Sequence, residues 1–332
     1  MPTTTSDRSS ARVGDLTFRP ATLDDAARVA DIDTALFPEE PSDPEAMRHW
    51  WASDDPAWTI DRFVIERAGR PIGFARHAHA PWEKVDKRYA RINAYFEPAE
   101  HRPANRTPAL DWLEARARAD GAEIAASYAR EDREADRAFL RDRGYVEERR
   151  SRAWELDLVA QRERLLAMLE RSRARMREQG IRVLTAADDA DPESFQKIHR
   201  MSEEAAQDVP TTIPHVPEPF EQFMKWFESP GLREDRMFIA RLGDDVVGIS
   251  VLSYPRVRGN VWTDWTGTAR AVRGKGVARA LKLETVAQAI ALGIPRVRTE
   301  NDGENAPILH LNAEMGYVRI PGWVQLMKPL GA

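Results

Sequence analysis

The chain has 332 residues, which is enough for two domains of ordinary size. Its formal net charge of −5 argues against a protein that binds nucleic acid mainly through electrostatics. Cysteine is absent, which excludes disulfides, thiolate metal ligands and a cysteine nucleophile, and which fits a reducing cytoplasm as the expected location. No apolar run approaches the roughly 18–20 residues that span a bilayer, so no membrane partner is expected.

The first part of the chain is predicted to be a short disordered start and one α/β domain. Residues 1–14 begin with serine and threonine and lack the apolar core of a signal peptide, so we expect them to be disordered. A domain over 15–158 follows. Strands are predicted over 16–21, 63–67, 70–75, 89–96, 124–128 and in a last strand pair ending near 158, and helices over 24–36, 44–53, 106–120 and 133–143.

A charged helix over 163–179, inside a connector at 159–180, precedes a second domain over 181–332. This domain repeats the element order of the first. Strands are predicted over 181–184, 237–241, 246–252, 261–266 and 295–299, and helices over 192–207, 219–227, 277–291 and shortly after Asn305. Three landmarks recur 172 residues later, since Gly121, Gly144 and Tyr145 correspond to Gly293, Gly316 and Tyr317. The sequence therefore predicts two copies of one α/β fold with a mixed sheet.

A glycine-containing loop links the strand over 261–266 to the helix over 277–291. Backbone amides of such a loop and the positive end of the helix converge on one point, which suits a phosphate or pyrophosphate. A Walker loop would need serine or threonine where this chain has Gly276. A dinucleotide-binding loop would need a third glycine where it has Arg279. Neither of these two motifs is therefore present.

Arg273, Gly276 and Ala278 fit the pattern Arg-x-x-Gly-x-Ala, which resembles the acetyl-CoA loop of the GCN5-related N-acetyltransferases, the GNAT superfamily. Asn305, then Leu311, then Gly316-Tyr317 resemble the ending of that family's domain. The two-copy layout is similar to the tandem acetyltransferases that include mycothiol synthase. The resemblance implies an α/β fold of two tandem GNAT units. Each would have a mostly antiparallel twisted sheet, flanked by helices, with a splayed central strand pair.

The resemblance also implies acetyl-CoA as co-substrate and assigns residues to it. Backbone groups of the strand end would meet the acetyl carbonyl and pantetheine, the loop would hold the pyrophosphate, and an asparagine would bond to the pantetheine arm. In this chain these are Thr266, Gly267 and Thr268 for the strand, Arg273, Gly274, Lys275, Gly276, Val277 and Ala278 for the loop, and Asn305.

Three residues are candidates for catalysis. Asp264 would share a strand face with Thr266 and Thr268 and would act as base through water, unless it only hydrogen-bonds a neighbouring loop. Glu300, at the end of the next strand, is the second candidate, or else a solvated charge. Asn312 stands where many relatives have a tyrosine beside the leaving sulfur. An amide cannot donate a proton as an acid, although it could hydrogen-bond the sulfur or the substrate.

The first copy lacks the loop glycines, because His101 to Arg106 align with the loop. Pro103 removes an amide donor, and Arg133 replaces Asn305. We therefore expect a first domain that is structural or gates the substrate and no longer holds acetyl-CoA in the usual way. The alternative is a distorted loop whose arginines still bind phosphate.

The histidines His199, His215 and His310 have no metal-ligand spacing among them, so no metal is expected. Glu203, Glu204 and Asp208 either attract a cationic amine or form a solvated helix end.

The expected function is that of an acetyl-CoA-dependent N-acetyltransferase acting on a small polar amine, as a monomer or homodimer. The alternatives are an antibiotic or protein N-terminal acetyltransferase, and a non-catalytic acyl-CoA-binding regulator, which the missing tyrosine would favour.

Overall fold

Residues 9–331 are described by the computed structural model, and they contain the predicted element order twice. The first half comprises strands β1 (Ala11–Val13), β2 (Leu16–Pro20), β3 (Thr59–Arg67), β4 (Arg70–His79), β5 (Tyr89–Phe96), β6 (Ile124–Arg130) and β7 (Val146–Asp157), with helices α1 (Ala26–Leu36), α2 (Pro44–Ala52), α3 (Pro103–Ala119) and α4 (Glu134–Asp142). The second half comprises α5 (Arg162–Glu178), β8 (Ile181–Thr185), α6 (Ser194–Ala206), α7 (Phe220–Phe227), β9 (Met237–Leu242), β10 (Asp245–Ser253), β11 (Trp262–Thr268), α8 (Val277–Ala291), β12 (Arg296–Asp302), α9 (Ala306–Met315), β13 (Val318–Ile320) and β14 (Trp323–Pro329).

The strands of the described region form one continuous sheet that runs through both halves. Its order is β1-β2-β3-β4-β5-β6-β14-β7-β12-β11-β10-β9-β8, and β13 pairs with β7 beside this path. Pairing is antiparallel except between β5 and β6 and between β11 and β12. The predicted α/β class with mostly antiparallel sheets and flanking helices is confirmed.

The two halves exchange strands. The last strand, β14, lies between β6 and β7 of the first half, with Trp323 opposite Arg130 and Val324 opposite Arg150. The far end of β7 pairs in turn with β12 of the second half, from Ser151 to Asp157. The predicted last strand pair of the first domain was therefore wrong, because one long strand serves both halves. The predicted domain boundaries at residues 158 and 181 divide the chain into its two halves, but the sheet continues across both halves.

Each half contains a parallel strand pair that separates. β5 pairs with β6 only from Tyr89 to Arg91, and β11 pairs with β12 only at Trp262 opposite Arg298. Beyond these points the strands diverge and leave a gap in the sheet. The predicted splayed central pair is thus confirmed in both copies.

The predicted connector is part of the second core. Leu165, Leu169 and Met176 of α5 are buried, and Arg173 binds Glu284 of α8 through two hydrogen bonds of 2.7 Å. α8 is consequently covered on one side by the sheet and on the other by α5.

At the chain start, residues 1–8 lie outside the described part, whereas the expected disorder up to residue 14 was wrong for Ala11–Val13. These residues pair with β2, with Ala11 opposite Phe18, because Gly14 allows a tight turn at φ +63°. None of the helices between residues 9 and 331 combines the length and the apolar character needed to cross a bilayer.

Candidate active site

The glycine loop has two backbone donors available to a ligand. Gly274 and Gly276 have φ of +77° and +91°, values that favour glycine, and Gly276 caps the start of α8. Within residues 9–331 neither of their amides donates a hydrogen bond. The first-turn amides of α8 also lack intrahelical partners. The loop therefore presents a group of free N–H donors at the positive end of a helix, which suits an anion.

Side chains at the end of helix α5 hydrogen-bond to this loop. The guanidinium of Arg175 donates to the carbonyl of Gly274 at 3.3 Å, and the Gln179 side chain donates to the carbonyl of Lys275 at 3.1 Å. A Cβ on Gly276 would lie 3.5 Å from the Arg175 guanidinium. The loop conformation thus depends on a helix that the sequence indicated only as a connector.

Acidic residues in and just after α6 bind the other side of the loop. Asp208 binds Arg270 and Arg273, each at 2.7 Å. The hydrogen bond from Arg270, followed by that from Arg273, holds the pKa of Asp208 well below its usual range. Glu204 accepts a hydrogen bond from the Arg270 amide at 2.7 Å, and Glu203 pairs with His215 at 3.0 Å. All three acids are therefore engaged within the protein, and the expectation that they attract a cationic amine stays a prediction.

Thr266, Gly267 and Thr268 line a cleft of about 720 Å³ together with all predicted loop residues except Lys275, and with Asn305. Their strand, β11, pairs with β10 on one edge through Thr268. Its other edge, which faces β12, has no strand partner in the described region after Trp262. The cleft therefore joins the free loop amides to an unpaired strand edge.

Asp264 lies on the same cleft wall, but a bulge changes its setting. Val251 of β10 pairs with Trp265 and Leu252 pairs with Thr263, so Asp264 is the extra residue, and the alternation assumed from the sequence is interrupted there. Its carboxylate accepts a hydrogen bond from the Trp226 indole of α7. By accessible surface Asp264 is exposed, but protein atoms crowd its carboxyl group, and this desolvation raises its pKa.

Glu300 of β12 lines the cleft where the two halves meet. The hydroxyl of Ser151, on the shared strand β7, donates to its carboxylate, and burial followed by the nearby Glu40 charge raises its pKa. Glu300 is thus a partly buried carboxyl group, and the alternative of a solvated strand-end charge is wrong.

Asn312 is fully buried and both polar atoms of its side chain are occupied. Its amide donates to Asn301 at 2.8 Å, and its carbonyl accepts from the ammonium of Lys282 at 3.0 Å. The sequence placed Asn312 against the sulfur or the substrate. In the structure its side chain is instead bonded to Asn301 and Lys282.

Lys282 was missed by sequence reasoning. It is 1% exposed, its Nζ lies 5.0 Å from the centre of the Tyr317 ring, and its side chain lines the cleft. Burial lowers its pKa to about 7. No sequence signal marked it, because a lysine on a helix normally faces solvent; here Asn312 of α9 and the Tyr317 ring lie against its side chain.

In the first half, ion pairs occupy the region equivalent to the loop and its asparagine. Asp136 binds His101 at 3.0 Å and Arg106 at 2.8 Å, and it also binds Arg133. Burial opposes ionisation, but the His101 hydrogen bond and the Arg106 charge lower the pKa of Asp136 to about 2. Residues aligned with Arg273, Ala278 and Asn305 thus form one closed polar cluster.

Fold and cleft together define a tandem GNAT fold. Residues 196–317 match the model of the acetyltransferase (GNAT) family, so the second half carries a GNAT acetyltransferase domain. No curated protein sequence matches the chain.

Among solved structures, a tandem GNAT protein from the clavulanic acid biosynthesis pathway has a TM-score of 0.71 at 18% identity, over 96% of this chain and 99% of that one. A GCN5-related N-acetyltransferase from Sphaerobacter thermophilus has a TM-score of 0.65 at 17% identity, over 96% and 97%. An acetyltransferase from the GNAT family of Colwellia psychrerythraea has a TM-score of 0.58 at 13% identity, over 94% and 98%. At these identities the likeness shows the fold, which is a tandem GNAT fold over nearly the whole chain.

Proposed function

We propose that the chain is an acetyl-CoA-dependent N-acetyltransferase whose second half transfers the acetyl group to the amine of a small polar substrate. The observation that carries this proposal is the meeting, in one cleft, of free loop amides and the unpaired edge of β11. Acetyl-CoA carries a pyrophosphate at one end and a thioester at the other. A site for it needs anion-binding amides, an extended channel and a donor for the acetyl oxygen.

The residues of this chain fit those needs. The amides of Gly274 and Gly276 and the first turn of α8 would hold the pyrophosphate, and Arg273 adds positive charge beside them. Asn305, at the start of α9, would bond to the pantetheine arm. Backbone amides between Thr266 and Thr268 would donate to the acetyl carbonyl and stabilise the negative charge that develops there. When bound, acetyl-CoA supplies the activated acetyl group.

In the proposed reaction the amine nitrogen bonds to the acetyl carbon and the carbon–sulfur bond breaks. The proton lost by the amine goes to Asp264 through water, and burial favours this role because it raises the pKa of the carboxyl group towards neutrality. Glu300 is the second candidate base for the same reason. The departing thiolate needs a proton or a cation. Lys282 would supply it, since it lines the cleft and, in the described region, its ammonium hydrogen-bonds only to the Asn312 carbonyl.

The closed cluster around Asp136 supports assignment of activity to the second half. His101, Arg106 and Arg133 fill the places that the loop and the asparagine have in the other copy. Opening that region for a ligand would leave buried charges without partners, which is costly.

Release of coenzyme A thiol in the presence of a panel of small polar amines tests the proposal. The protein contributes no thiol background because it has no cysteine. Gly276→Trp should abolish both thermal stabilisation by acetyl-CoA and thiol release. Gly243→Trp is the matched control, because Gly243 also has a positive φ, of +60°, with nothing within 4 Å of its added Cβ. If acetyl-CoA stabilises neither wild type nor control, the loop does not bind it and the proposal fails.

A non-catalytic acyl-CoA-binding protein is the second candidate. The observation that favours it is the occupation of the usual tyrosine position by Asn312, which is buried and has no acidic proton. Stabilisation by acetyl-CoA that Gly276→Trp abolishes, without thiol release for any amine in the panel, would support this candidate over the enzyme.

A further inference from the structure

A second cavity, lined by other residues than the cleft, lies in the first half. It has a volume of about 630 Å³ and lies between α2, the strands β3, β4 and β5, and α7 of the second half. Arg62, Arg76 and Arg91, one from each strand, line it. We call this cavity the arginine pocket.

Two of the three guanidinium groups lack a counter-ion. Arg62 binds Asp54 at 2.8 Å. Between residues 9 and 331, Arg76 and Arg91 form no hydrogen bond or ion pair, and Nε of Arg76 is buried without a partner. Arg91 lies over the ring of Trp58, at 5.7 Å from its centre. Two guanidinium groups therefore line the cavity without a carboxylate bonded to either of them.

This arrangement costs stability in the protein alone. Arg62 and Arg76 lie directly opposite each other on β3 and β4, a position in which like charges repel. Burial, and then the charges of Arg62 and Arg91, lower the pKa of Arg76 to about 10. Groups that disturb the fold and gain nothing within it are typical of binding sites.

The carboxyl groups of the pocket are committed elsewhere. Asp54 is bound to Arg62, and Asp55 accepts a hydrogen bond from the Ala57 amide at 2.8 Å. Glu218 of the second half also lines the pocket, and burial raises its pKa. None of these three carboxyl groups hydrogen-bonds to Arg76 or Arg91 in the described region, so both guanidinium groups keep N–H donors for a ligand.

We propose that the arginine pocket binds a small molecule through an oxyanion, a carboxylate or a phosphate, held by Arg76 and Arg91. The planar guanidinium offers paired N–H donors that match both kinds of oxyanion. Trp50, Trp51 and Trp58 line the same cavity and would contact an apolar part of the molecule. This site is separate from acetyl transfer, and it gives the first half a ligand of its own.

Calorimetric titration with inorganic phosphate and with acetate, at constant ionic strength, tests the site and separates the two oxyanions. We expect at least one to bind the wild-type chain, and Arg76→Met to weaken this binding roughly tenfold or more. Arg76→Met should also melt at a higher temperature than wild type in anion-free buffer, because it removes an unpaired guanidinium that lies opposite Arg62. Arg256→Met is the control, since Arg256 is 63% exposed, and it should change neither property.

Arg91→Gln provides a second variant if Arg76→Met does not fold, and the same loss of binding is expected. Failure of both anions to bind wild type in the tens of millimolar overturns the proposal. So does binding that both pocket variants retain. A lower melting temperature for Arg76→Met would mark a structural arginine and would equally refute it.

A different observation, on the opposite face of β4, supports a second site. His77 and His79 alternate along this strand, and Asp120 follows the end of α3. One potential ligand atom from each lies within 4.8 Å of the others. Both ring nitrogens of the fully buried His77 and one carboxylate oxygen of Asp120 have no hydrogen-bond partner in the described region. Sequence reasoning considered three other histidines and missed this pair.

The surroundings orient these groups as metal ligands usually are. Nδ1 of His79 donates to the Ala80 carbonyl at 2.8 Å, and because a carbonyl only accepts, Nε2 keeps the lone pair. The Trp82 indole stacks on His79 and donates to the Asp120 carbonyl at 2.8 Å. Nδ1 of His77 lies 3.6 Å from the Asp120 carboxylate, close to the edge of about 3.4 Å expected for a tetrahedral zinc site. It also lies 3.5 Å from the Asp61 carboxylate, but that group is bound by Arg116 at 2.7 Å.

We infer that His77, His79 and Asp120 bind a divalent transition-metal ion such as Zn²⁺. Untagged protein, stripped with a chelator, should take up one Zn²⁺ per chain and melt at a higher temperature, and Co²⁺ should give the visible bands of a tetrahedral ion. His79→Gln and Asp120→Asn should each lose the ion, whereas His310→Gln, at a site 76% exposed, should keep it. No uptake by wild type, or uptake unchanged in both ligand variants, overturns the assignment.

Discussion

Replacement of Lys282 by methionine gives a test of the buried lysine that needs no ligand. Burial lowers the pKa of Lys282 from 10.5 to about 7, so the folded chain holds its ammonium less readily than the unfolded chain does. Between these two pH values the unfolded state binds more protons, and wild-type stability therefore rises with pH across this range. The destabilisation is complete below pH 7 and is lost as the pH rises through 10.5.

The magnitude follows from the two pKa values. The full cost of the charged form, below the folded pKa, is about 5 kcal/mol. At pH 8 about 3 kcal/mol of this remains, and at pH 10 somewhat under 1 kcal/mol. Lys282→Met removes this cost of a buried charge. It also leaves the Asn312 carbonyl without its partner, which costs about 1–3 kcal/mol at every pH. The stability of the variant relative to wild type should therefore fall by about 2–3 kcal/mol from pH 8 to pH 10.

Urea unfolding of both proteins at pH 8, 9 and 10 measures this difference, and all other titrating groups cancel from it. Lys87→Met, at an exposed position in a loop, is the matched control and should give a difference that does not change with pH. A difference for Lys282→Met that is also constant from pH 8 to pH 10 would refute the burial argument. The proposed role of Lys282 towards the leaving thiolate would then lose its physical basis.

Three further substitutions or deletions test other parts of the structure. Asp264→Asn should lower kcat/KM by about 10²–10⁴-fold and leave acetyl-CoA affinity unchanged, whereas an effect on affinity alone would exclude Asp264 as base. Asp136→Ala should lower the free energy of unfolding by about 3 kcal/mol or more, because it leaves buried Arg106 and His101 without their partner. Calorimetry should show no change in acetyl-CoA binding by this variant. Removal of residues 323–331 should unfold the first half, since β14 fills the sheet between β6 and β7. Native-like hydrogen-exchange protection of β6 in that truncated chain would contradict the strand exchange.

The sequence alone indicated much of the fold because the relevant signals are local. Strand and helix periodicity placed β5 and α8 within a residue or two of their observed bounds, since side-chain alternation reports which face is buried. The glycine loop was equally readable, because only glycine takes the positive φ at Gly274 and Gly276 without strain. The repeat of 172 residues, from Gly121 to Gly293, pointed to two copies of one fold.

Other features depend on which distant segments meet, and local patterns do not carry that information. An alternating pattern shows that β14 is a strand, but hydrogen bonding to β6 and β7 is decided by where the chain end lies in three dimensions. Lys282 is buried because Asn312 and the Tyr317 ring lie against it, and Asp208 is paired because Arg270 and Arg273 reach it. The local sequence pattern determined the helices, the strands and the glycine loop. Non-local packing determined the strand exchange, the charge partners and the desolvation that shifts each pKa.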